Sequence, residues 1–388
     1  MPAPALSDLA DPLPLARRLI ACRSVTPADD GAMAVVEAAL EALGFACRRM
    51  RFGEVENLYA RRGSAGPNLC FAGHVDVVPP GDEAAWTRPP FAAEVAEGAL
   101  WGRGAADMKG GLACWIAALA RVLDEGEPAG SLSLLITGDE EGVALDGTRR
   151  VVEALGAEGE RIDACVVGEP SSAARVGDII KVGRRGSLNA WITAEGVQGH
   201  VAYPERAANP IRPLMAVLER VQARRLDEGF DSFPPSNLEV TTIDVGNPAS
   251  NVIPAKATAR LNIRFNPTHC GAELIDWLGS ECAAAEADFN GAVKLETLLS
   301  GEAFLTEAGP FTALVSAAVA EATSARPESS TSGGTSDARF IRTLCPVVEL
   351  GLVGTTIHQV DEHVPLADLE TLTRTYAAVI RRFFASPA

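Results

Sequence analysis

Three short apolar runs, each followed directly by glycine and a polar residue, limit what this chain can fold into more than any other feature. The runs are residues 68–72, 131–137 and 163–167. Continuous apolar strands of this length are typical of a sheet buried on both faces, which is most often a parallel sheet covered by helices. Residues 32–43 and 112–123 have apolar side chains at helical spacing and supply such helices. We therefore predict an α/β fold with a mostly parallel central sheet.

A different pattern begins near residue 185. Residues 257–265 alternate strictly, with Leu261, Ile263 and Phe265 on one face and polar residues on the other, which indicates a half-buried strand. With the neighbouring segments, the order is strand, helix, strand, strand, helix, strand, as in a ferredoxin-like α+β unit. We predict that this unit, residues 184–298, is inserted into a discontinuous catalytic domain made of residues 1–183 and 299–388.

The bulk properties exclude several classes of function. A formal net charge of −17 and the lack of a stripe of basic residues argue against nucleic acid as a partner. No apolar run approaches the roughly 20 residues that cross a bilayer, and Asp8 and Asp11 stand where a secretory signal would need positive charge. The 8 cysteines are scattered, without a CxxC motif, which favours reduced thiols. We expect a cytoplasmic protein without a membrane partner.

Five segments that follow predicted strand ends or tight turns carry side chains that bind metals. Because the carboxyl ends of strands in open α/β sheets meet at one edge, these segments predict a common site. Two imidazoles and three carboxylates without a thiolate suit zinc, with cobalt or manganese as replacements. A carboxylate such as that of Asp107 can place one oxygen on each of two metal ions. One such set of ligands consists of His74, Asp107, Glu141, Glu169 and His358.

Two further acidic positions have predicted roles beside these ligands. Asp76 lies two residues beyond His74 on an extended segment, so its carboxylate can accept the second imidazole N–H. Glu140 and Glu141 are adjacent, and one can bind metal while the other transfers a proton between water and a leaving amine. The residues alone leave open which of the two does which.

These segments resemble the aminoacylase-like zinc exopeptidases and deacylases over nearly the whole chain. The similar motifs are GHVDVVPPGD (73–82), GRGAADMKGG (102–111), TGDEEG (137–142), VVGEPSS (166–172) and TIHQVDEHV (356–364). The resemblance implies two zinc ions per subunit bridged by Asp107, with His74 and Glu169 on one and Glu141 and His358 on the other. It also implies that Glu140 is the general acid/base and Asp76 the partner of His74.

Other motifs are similar to those of family members that hydrolyse N-succinyl-LL-2,6-diaminopimelate, a step towards lysine. They are KVGRRGSL (181–188), GHVAYP (199–204), NVIPA (251–255), NIRF (262–265) and SGGTSDARF (332–340). The resemblance implies a homodimer formed through the inserted domain, with His200 reaching the partner subunit's site to stabilise an oxyanion. The substrate contacts it implies are Ser187, Tyr203, Asn251, Gly334 and Thr335. Arg184, Arg185 and Arg264 are suited to bind the carboxylates of such a substrate in a chain of net charge −17.

Two alternatives stay open. The first is another deacylase of the same family, such as one acting on acetylornithine or on N-acyl-amino acids generally. The second is a non-catalytic metal-binding homologue. Three arginines favour a substrate with several carboxylates, because guanidinium binds carboxylate through two parallel hydrogen bonds. Gly354 departs from the family pattern, in which many members have asparagine.

Overall fold

The computed structural model of the protein describes residues 9–385, so Asp8 lies outside the described residues. Within that range the chain forms two compact units. The first contains the described residues up to Val182, Thr306–Ser330 and the residues from Ser336 onwards. The second contains Gly183–Leu305 and Thr331–Thr335. Within residues 9–385, every helix is too short or too polar to span a lipid bilayer.

The helices follow one another in chain order and fall mostly in the first unit. They are α1 Pro12–Ala21, α2 Ala32–Ala42, α3 Lys109–Glu125, α4 Thr148–Ala157, α5 Ile211–Ala223, α6 Gly271–Glu286, α7 Pro310–Thr323, α8 Ala338–Ile341 and α9 Leu366–Ala385. Within residues 9–385 there are also two short 3₁₀ turns, Glu83–Ala85 and Pro204–Arg206.

The strands are divided between the two units. They are β1 Ala46–Phe52, β2 Val55–Arg62, β3 Asn68–His74, β4 Glu94–Ala96, β5 Ala99–Trp101, β6 Ser131–Thr137, β7 Ala164–Val167, β8 Ile179–Lys181, β9 Gly183–Arg184, β10 Gly186–Glu195, β11 Gly199–His200, β12 Asn237–Asp244, β13 Val252–Ile253, β14 Lys256–Phe265, β15 Ala292–Gly301, β16 Phe304–Leu305, β17 Glu328–Ser330, β18 Val347–Glu349 and β19 His363–Pro365.

The first unit is built on an eight-stranded sheet of order β1-β2-β6-β3-β7-β18-β8-β17. Its four central strands, β6, β3, β7 and β18, are parallel. Every residue of β6 and β7 is buried, as expected for strands covered on both faces. The ends of these strands therefore bring the loops that follow them to one edge of the sheet.

An aromatic cluster fills the core behind that edge. Phe71 of β3 stacks on Trp115 of α3 at 4.7 Å between ring centroids, and Trp115 meets Tyr376 of α9 edge-on at 5.0 Å. The Tyr376 hydroxyl donates to the Leu350 carbonyl at 2.6 Å, which satisfies its polar end inside the core. This packing fixes helices α3 and α9 against the sheet.

The second unit has an antiparallel sheet of order β12-β14-β10-β15, the order of a ferredoxin-like fold. One face, which includes Leu188, Leu261 and Phe265, is buried with the apolar faces of α5 and α6. The other face is polar, so β14 alternates between buried and accessible residues as its sequence predicts.

The borders of the second unit differ from the predicted 184–298. Strand β9 pairs with β16, so the chain enters and leaves this unit through a two-stranded ribbon ending at Leu305. Residues Thr331–Thr335 also join it, and the Thr331 hydroxyl donates to the Ser232 carbonyl. Pairings of this kind join distant segments, and local apolar patterns do not report them.

Candidate active site

The carboxylate of Asp107 lies between two imidazoles. Its Oδ1 is 3.2 Å from Nε2 of His74, and its Oδ2 is 3.4 Å from Nε2 of His358. One oxygen therefore faces each ring. The Asp107–Met108 peptide bond that follows is cis.

Two further carboxylates extend this arrangement at either end. Oε1 of Glu169 is 3.7 Å from Nε2 of His74, and Oε1 of Glu141 is 3.0 Å from Nε2 of His358. Ligand-type atoms of His74, Asp107 and Glu141 lie within 4.8 Å of one another, and so do those of His74, Glu140 and Glu169. The first unit thus brings all five predicted ligands together.

Glycines at the strand ends make room for the loop that carries Asp107. A Cβ atom at Gly73 or at Gly168 would overlap the Met108 side chain, which lies against both positions. The sulfur of Met108 also accepts the amide N–H of His74 at 3.4 Å. These two glycines therefore let the residue next to Asp107 pack directly behind the His74 and Glu169 segments.

Asp76 contacts His74 in a different way from that predicted. Nδ1 of His74 is 2.9 Å from the backbone carbonyl of Asp76, whereas the Asp76 carboxylate is 3.6 Å away. That carboxylate instead accepts the backbone N–H groups of Glu140 and Glu141, at 3.3 and 3.0 Å. Burial raises the pKa of Asp76 to about 6, because it outweighs the charge interaction with His74 and the two backbone hydrogen bonds. Asp76 therefore links the His74 segment to the loop that carries the glutamate pair.

The two adjacent glutamates have different surroundings. Glu141 faces His358, whereas Glu140 groups with His74 and Glu169. Burial raises the pKa of Glu140 well above its usual value, and the negative charges of Glu169 and Asp337 raise it further. The raised pKa favours the protonated form of Glu140, which is the form that a general acid needs.

The charges around Asp107 interact strongly. Burial opposes ionisation of Asp107, but hydrogen bonds with His358 and His74 outweigh it and lower its pKa below its usual value. The same contacts with Asp107 and Glu141 raise the pKa of His358 to about 10. The carboxylates around Asp107 therefore favour positive charge at both imidazoles.

The loop of His358 adopts an uncommon backbone conformation. His358 has a φ of 60°, in the left-handed region that non-glycine residues seldom adopt. Such conformations cost on the order of 1 kcal/mol and persist only where surrounding contacts fix them. Arg103 and Glu362, for which the sequence predicted no role, form a buried ion pair beside this loop at 2.7 Å. Both lie in motifs quoted above, but their pairing joins residues far apart in the chain.

In the second unit, three predicted residues lie around one short ribbon. His200 of β11 pairs with Val252 of β13, which places it beside Asn251. The rings of His200 and Tyr203 are 5.9 Å apart, and Tyr203 is exposed. The amide of Ala202 donates to Nδ1 of His200 at 3.1 Å, so the proton of the neutral ring is on Nε2, available to donate.

Two predicted arginines lie near the start of the antiparallel sheet. Arg264 pairs across the strands with Ser187 and with Asn237. Burial lowers the pKa of Arg264, and the positive charge of Arg185 lowers it further. Nη1 of Arg185 donates to Asn237 at 2.9 Å, while its buried Nε has no partner among residues 9–385. Two guanidinium groups that repel each other form a suitable site for an anion.

Arg184 is engaged with the glycine-rich segment of the same unit. It is buried, and its Nη1 donates to the carbonyls of Ser332 and Gly334 at 3.3 and 3.1 Å. Arg184 therefore helps to hold the segment that contains Gly334 and Thr335. Gly354, in the first unit, is closely packed, since a Cβ there would be 3.1 Å from the Pro170 carbonyl oxygen.

The fold and this arrangement of ligand-type side chains are those of a metal-dependent hydrolase. The family model "Peptidase family M20/M25/M40" matches residues 70–382. The chain belongs to this peptidase family. The family and fold class predicted from the sequence are thus confirmed.

The similar relatives share one name. The chain is 63% identical over 385 residues to a succinyl-diaminopimelate desuccinylase of Caulobacter vibrioides, covering 99% of each chain. It is also 63% identical over 380 residues to a protein of that name from Phenylobacterium zucineum, covering 98% of this chain and 100% of the relative.

Solved structures of the family share the fold at lower identity. An M20 family metallo-carboxypeptidase of Sulfolobus solfataricus aligns with a TM-score of 0.78 and 16% identity over 97% of this chain and 99% of its own. A dinuclear metal-binding M20 peptidase of Bacillus subtilis aligns with a TM-score of 0.70 and 16% identity over 95% and 98%.

Proposed function

We propose that the protein is a two-metal amidohydrolase that removes succinate from N-succinyl-LL-2,6-diaminopimelate to give LL-2,6-diaminopimelate. The names of relatives 63% identical over nearly the full length support this activity. The observation that carries the proposal is the position of Asp107, whose two oxygens each face a different imidazole. A carboxylate in that position is suited to bridge two cations.

The side chains fit a pair of divalent metal ions. His74, Glu169 and Asp107 would hold one ion, and Asp107, Glu141 and His358 the other. Nitrogen and oxygen ligands without sulfur suit zinc, and cobalt or manganese can substitute. When bound, the metals supply Lewis-acid polarisation of the amide carbonyl and lower the pKa of water.

Glu140 is the group that moves the proton. Its burial and its acidic neighbours raise its pKa, so it can take a proton from the attacking water and keep it until the amine departs. Asp76 holds the backbone of Glu140 through the amide N–H and so restricts where the carboxylate can reach.

His200 is the proposed donor to the oxyanion that forms at the amide carbonyl. The amide of Ala202 occupies Nδ1 and leaves the Nε2–H free to donate. By the family resemblance, this histidine acts in the site of a partner subunit. In that case a single chain has an incomplete site.

The substrate carries several carboxylates, so a chain of net charge −17 must bind it through local cations. Arg264 and Arg185 are the main candidates, because each repels the other unless an anion lies between them. Ser187, Tyr203, Asn251, Gly334 and Thr335 are proposed to contact the rest of the substrate. Arg184 is proposed to act there too, through the glycine-rich segment that it holds.

A homodimer and a cytoplasmic location complete the proposal. Strand β12 forms one edge of the antiparallel sheet, and Ile243 on it is 63% exposed. An edge strand with an exposed apolar side chain is suited to pair with a second copy. Light scattering of the purified protein should therefore give twice the mass of one chain.

The decisive experiment compares two substrates on one enzyme preparation. Chelator-treated protein should hydrolyse neither N-succinyl-LL-2,6-diaminopimelate nor N-acetylornithine. After zinc is added, kcat/KM for the succinylated substrate should exceed that for N-acetylornithine by at least about a hundredfold. The smaller substrate has fewer carboxylates, so charged groups of the protein would be left without a partner when it binds. Preference for N-acetylornithine would overturn the substrate assignment, and no hydrolysis of either would overturn the enzymatic one.

A further inference from the structure

A buried ion pair that takes no part in the proposed chemistry lies next to the metal-binding cluster. Nη1 of Arg103 is 2.7 Å from Oε2 of Glu362, and the two side chains are 2% and 0% exposed. A buried ion pair is weak evidence for stability, because removing two charges from water costs about as much as their attraction returns. The contacts of this pair therefore indicate its role better than its energy does.

Glu362 fixes the backbone that carries Asp107. Its Oε1 accepts the amide N–H groups of Ala106 and Asp107, at 2.9 and 3.1 Å. Its own carbonyl accepts the amide of Gly102 at 2.9 Å. Glu362 thus bonds to the backbone at both ends of the segment 102–107, which carries the proposed bridging carboxylate of Asp107.

Arg103 connects the two loops that carry the histidines. Its Nη1 donates to the carbonyl of Gln359 at 3.1 Å, directly after the left-handed residue His358. Its Nη2 donates to the carbonyl of Pro79 at 3.4 Å, in the segment that follows Asp76. The Arg103 guanidinium also lies over the ring of Trp86, 5.2 Å from its centroid. One guanidinium therefore bonds to the loops of both imidazoles that face Asp107.

We infer that Arg103 and Glu362 are positioning residues that set how far apart His74 and His358 lie across Asp107, and so allow two metal ions to bind together. The inference rests on the proposed metal site. Residues that orient metal ligands without touching the metal typically change affinity by about 10- to 100-fold when mutated. Loss of this pair should therefore affect metal binding before it affects the fold.

The experiment measures metal binding directly. Chelator-stripped wild-type protein, Glu362→Gln, Arg103→Lys and Leu119→Ala are titrated with Zn²⁺ against a competing chromophoric chelator, and their thermal unfolding is recorded. Leu119→Ala is the control, because it truncates a buried side chain about 15 Å along α3 from Lys109 and lowers stability without touching the pair.

In Glu362→Gln, affinity for the second Zn²⁺ equivalent should fall by about 10- to 100-fold. Arg103→Lys keeps the positive charge but loses the planar guanidinium group, so its loss of zinc affinity should be smaller. Leu119→Ala should unfold at a lower temperature yet bind both equivalents like the wild type.

Equal zinc affinity in Glu362→Gln and wild type would overturn the inference. It would also be overturned if Glu362→Gln lost no more zinc affinity than a Leu119→Ala protein that unfolds at a similar temperature. If Glu362→Gln fails to fold, the zinc affinity of Arg103→Lys is compared with that of the wild type and of Leu119→Ala in the same way, and that comparison decides. Wild-type protein that binds no zinc would overturn the proposed metal site itself, which is a different outcome.

Discussion

The two units hold their site residues in opposite ways. In the first, strands β6 and β7 are buried along their whole length, and the buried side chains of His74, Asp107 and Glu169 lie close to one another. In the second, strand β14 buries every other residue, and His200 and Asn251 lie exposed on a short ribbon. Buried, interlocked groups can hold a charged cluster in fixed geometry, whereas exposed groups can meet a ligand that arrives and leaves. The proposed metal ligands and the proposed proton carrier accordingly lie in the first unit, and most of the proposed substrate contacts lie in the second.

The largest effect is expected for Glu140→Gln, which tests whether the first unit carries the group that transfers the proton. We expect kcat to fall by about 10²- to 10⁴-fold, because the amide cannot accept and return a proton. Metal content should stay at the wild-type value. Glu141→Gln is the matched control, since the neighbouring glutamate faces His358 and its loss should lower metal affinity. Near-normal turnover of metal-loaded Glu140→Gln would exclude it as the acid/base.

In the second unit, His200→Ala tests whether an exposed residue takes part in catalysis. Removing one donor to an oxyanion typically lowers kcat by about 10²- to 10³-fold with little change in KM. Val201→Ala, which alters an exposed neighbour on the same loop, should leave both constants unchanged. A rise in KM at constant kcat in His200→Ala would instead make the histidine a binding residue.

A smaller effect is expected from a polar cluster around Asp227, which is partly buried in the second unit. Asp227 accepts hydrogen bonds from Gly229, Ser236 and Asn266, and lies 3.1 Å from Nε2 of His269. Burial alone would raise its pKa, but these bonds outweigh it and lower the pKa to about 2. Asp227→Asn should therefore destabilise the protein by about 1.5–3 kcal/mol.

The sign of the pH dependence follows from that lowered pKa. The stabilisation by Asp227 is fully present above the pKa of the unfolded carboxyl and is lost as pH falls towards about 2. The protection of the amides of residues 227–236 against hydrogen exchange, corrected for the intrinsic pH dependence of the exchange rate, should thus fall with acid in the wild type and be low at all pH values in Asp227→Asn. Asp231→Asn, an exposed change in the same loop, should behave like the wild type. Unchanged exchange in Asp227→Asn would mean that the cluster does not hold this loop.

Much of this molecule follows from local sequence. The continuous apolar runs predicted the parallel strands, and the alternation of residues 257–265 predicted strand β14, because side-chain burial repeats with the geometry of each element. The five ligand-type residues could be proposed together, since strand ends meet at one edge of such a sheet.

The tertiary structure decided what distant segments do to one another. The predicted partner of His74 was the Asp76 carboxylate, yet the backbone carbonyl lies closer, because the carboxylate accepts two amides from the next loop. Arg103 and Glu362 are 259 positions apart in the chain, and no local pattern indicates that they pair. Residue type and spacing determined which groups could bind metal. Only packing between remote segments determined which atom each group presents, because hydrogen bonds depend on positions in space that the order of residues does not specify.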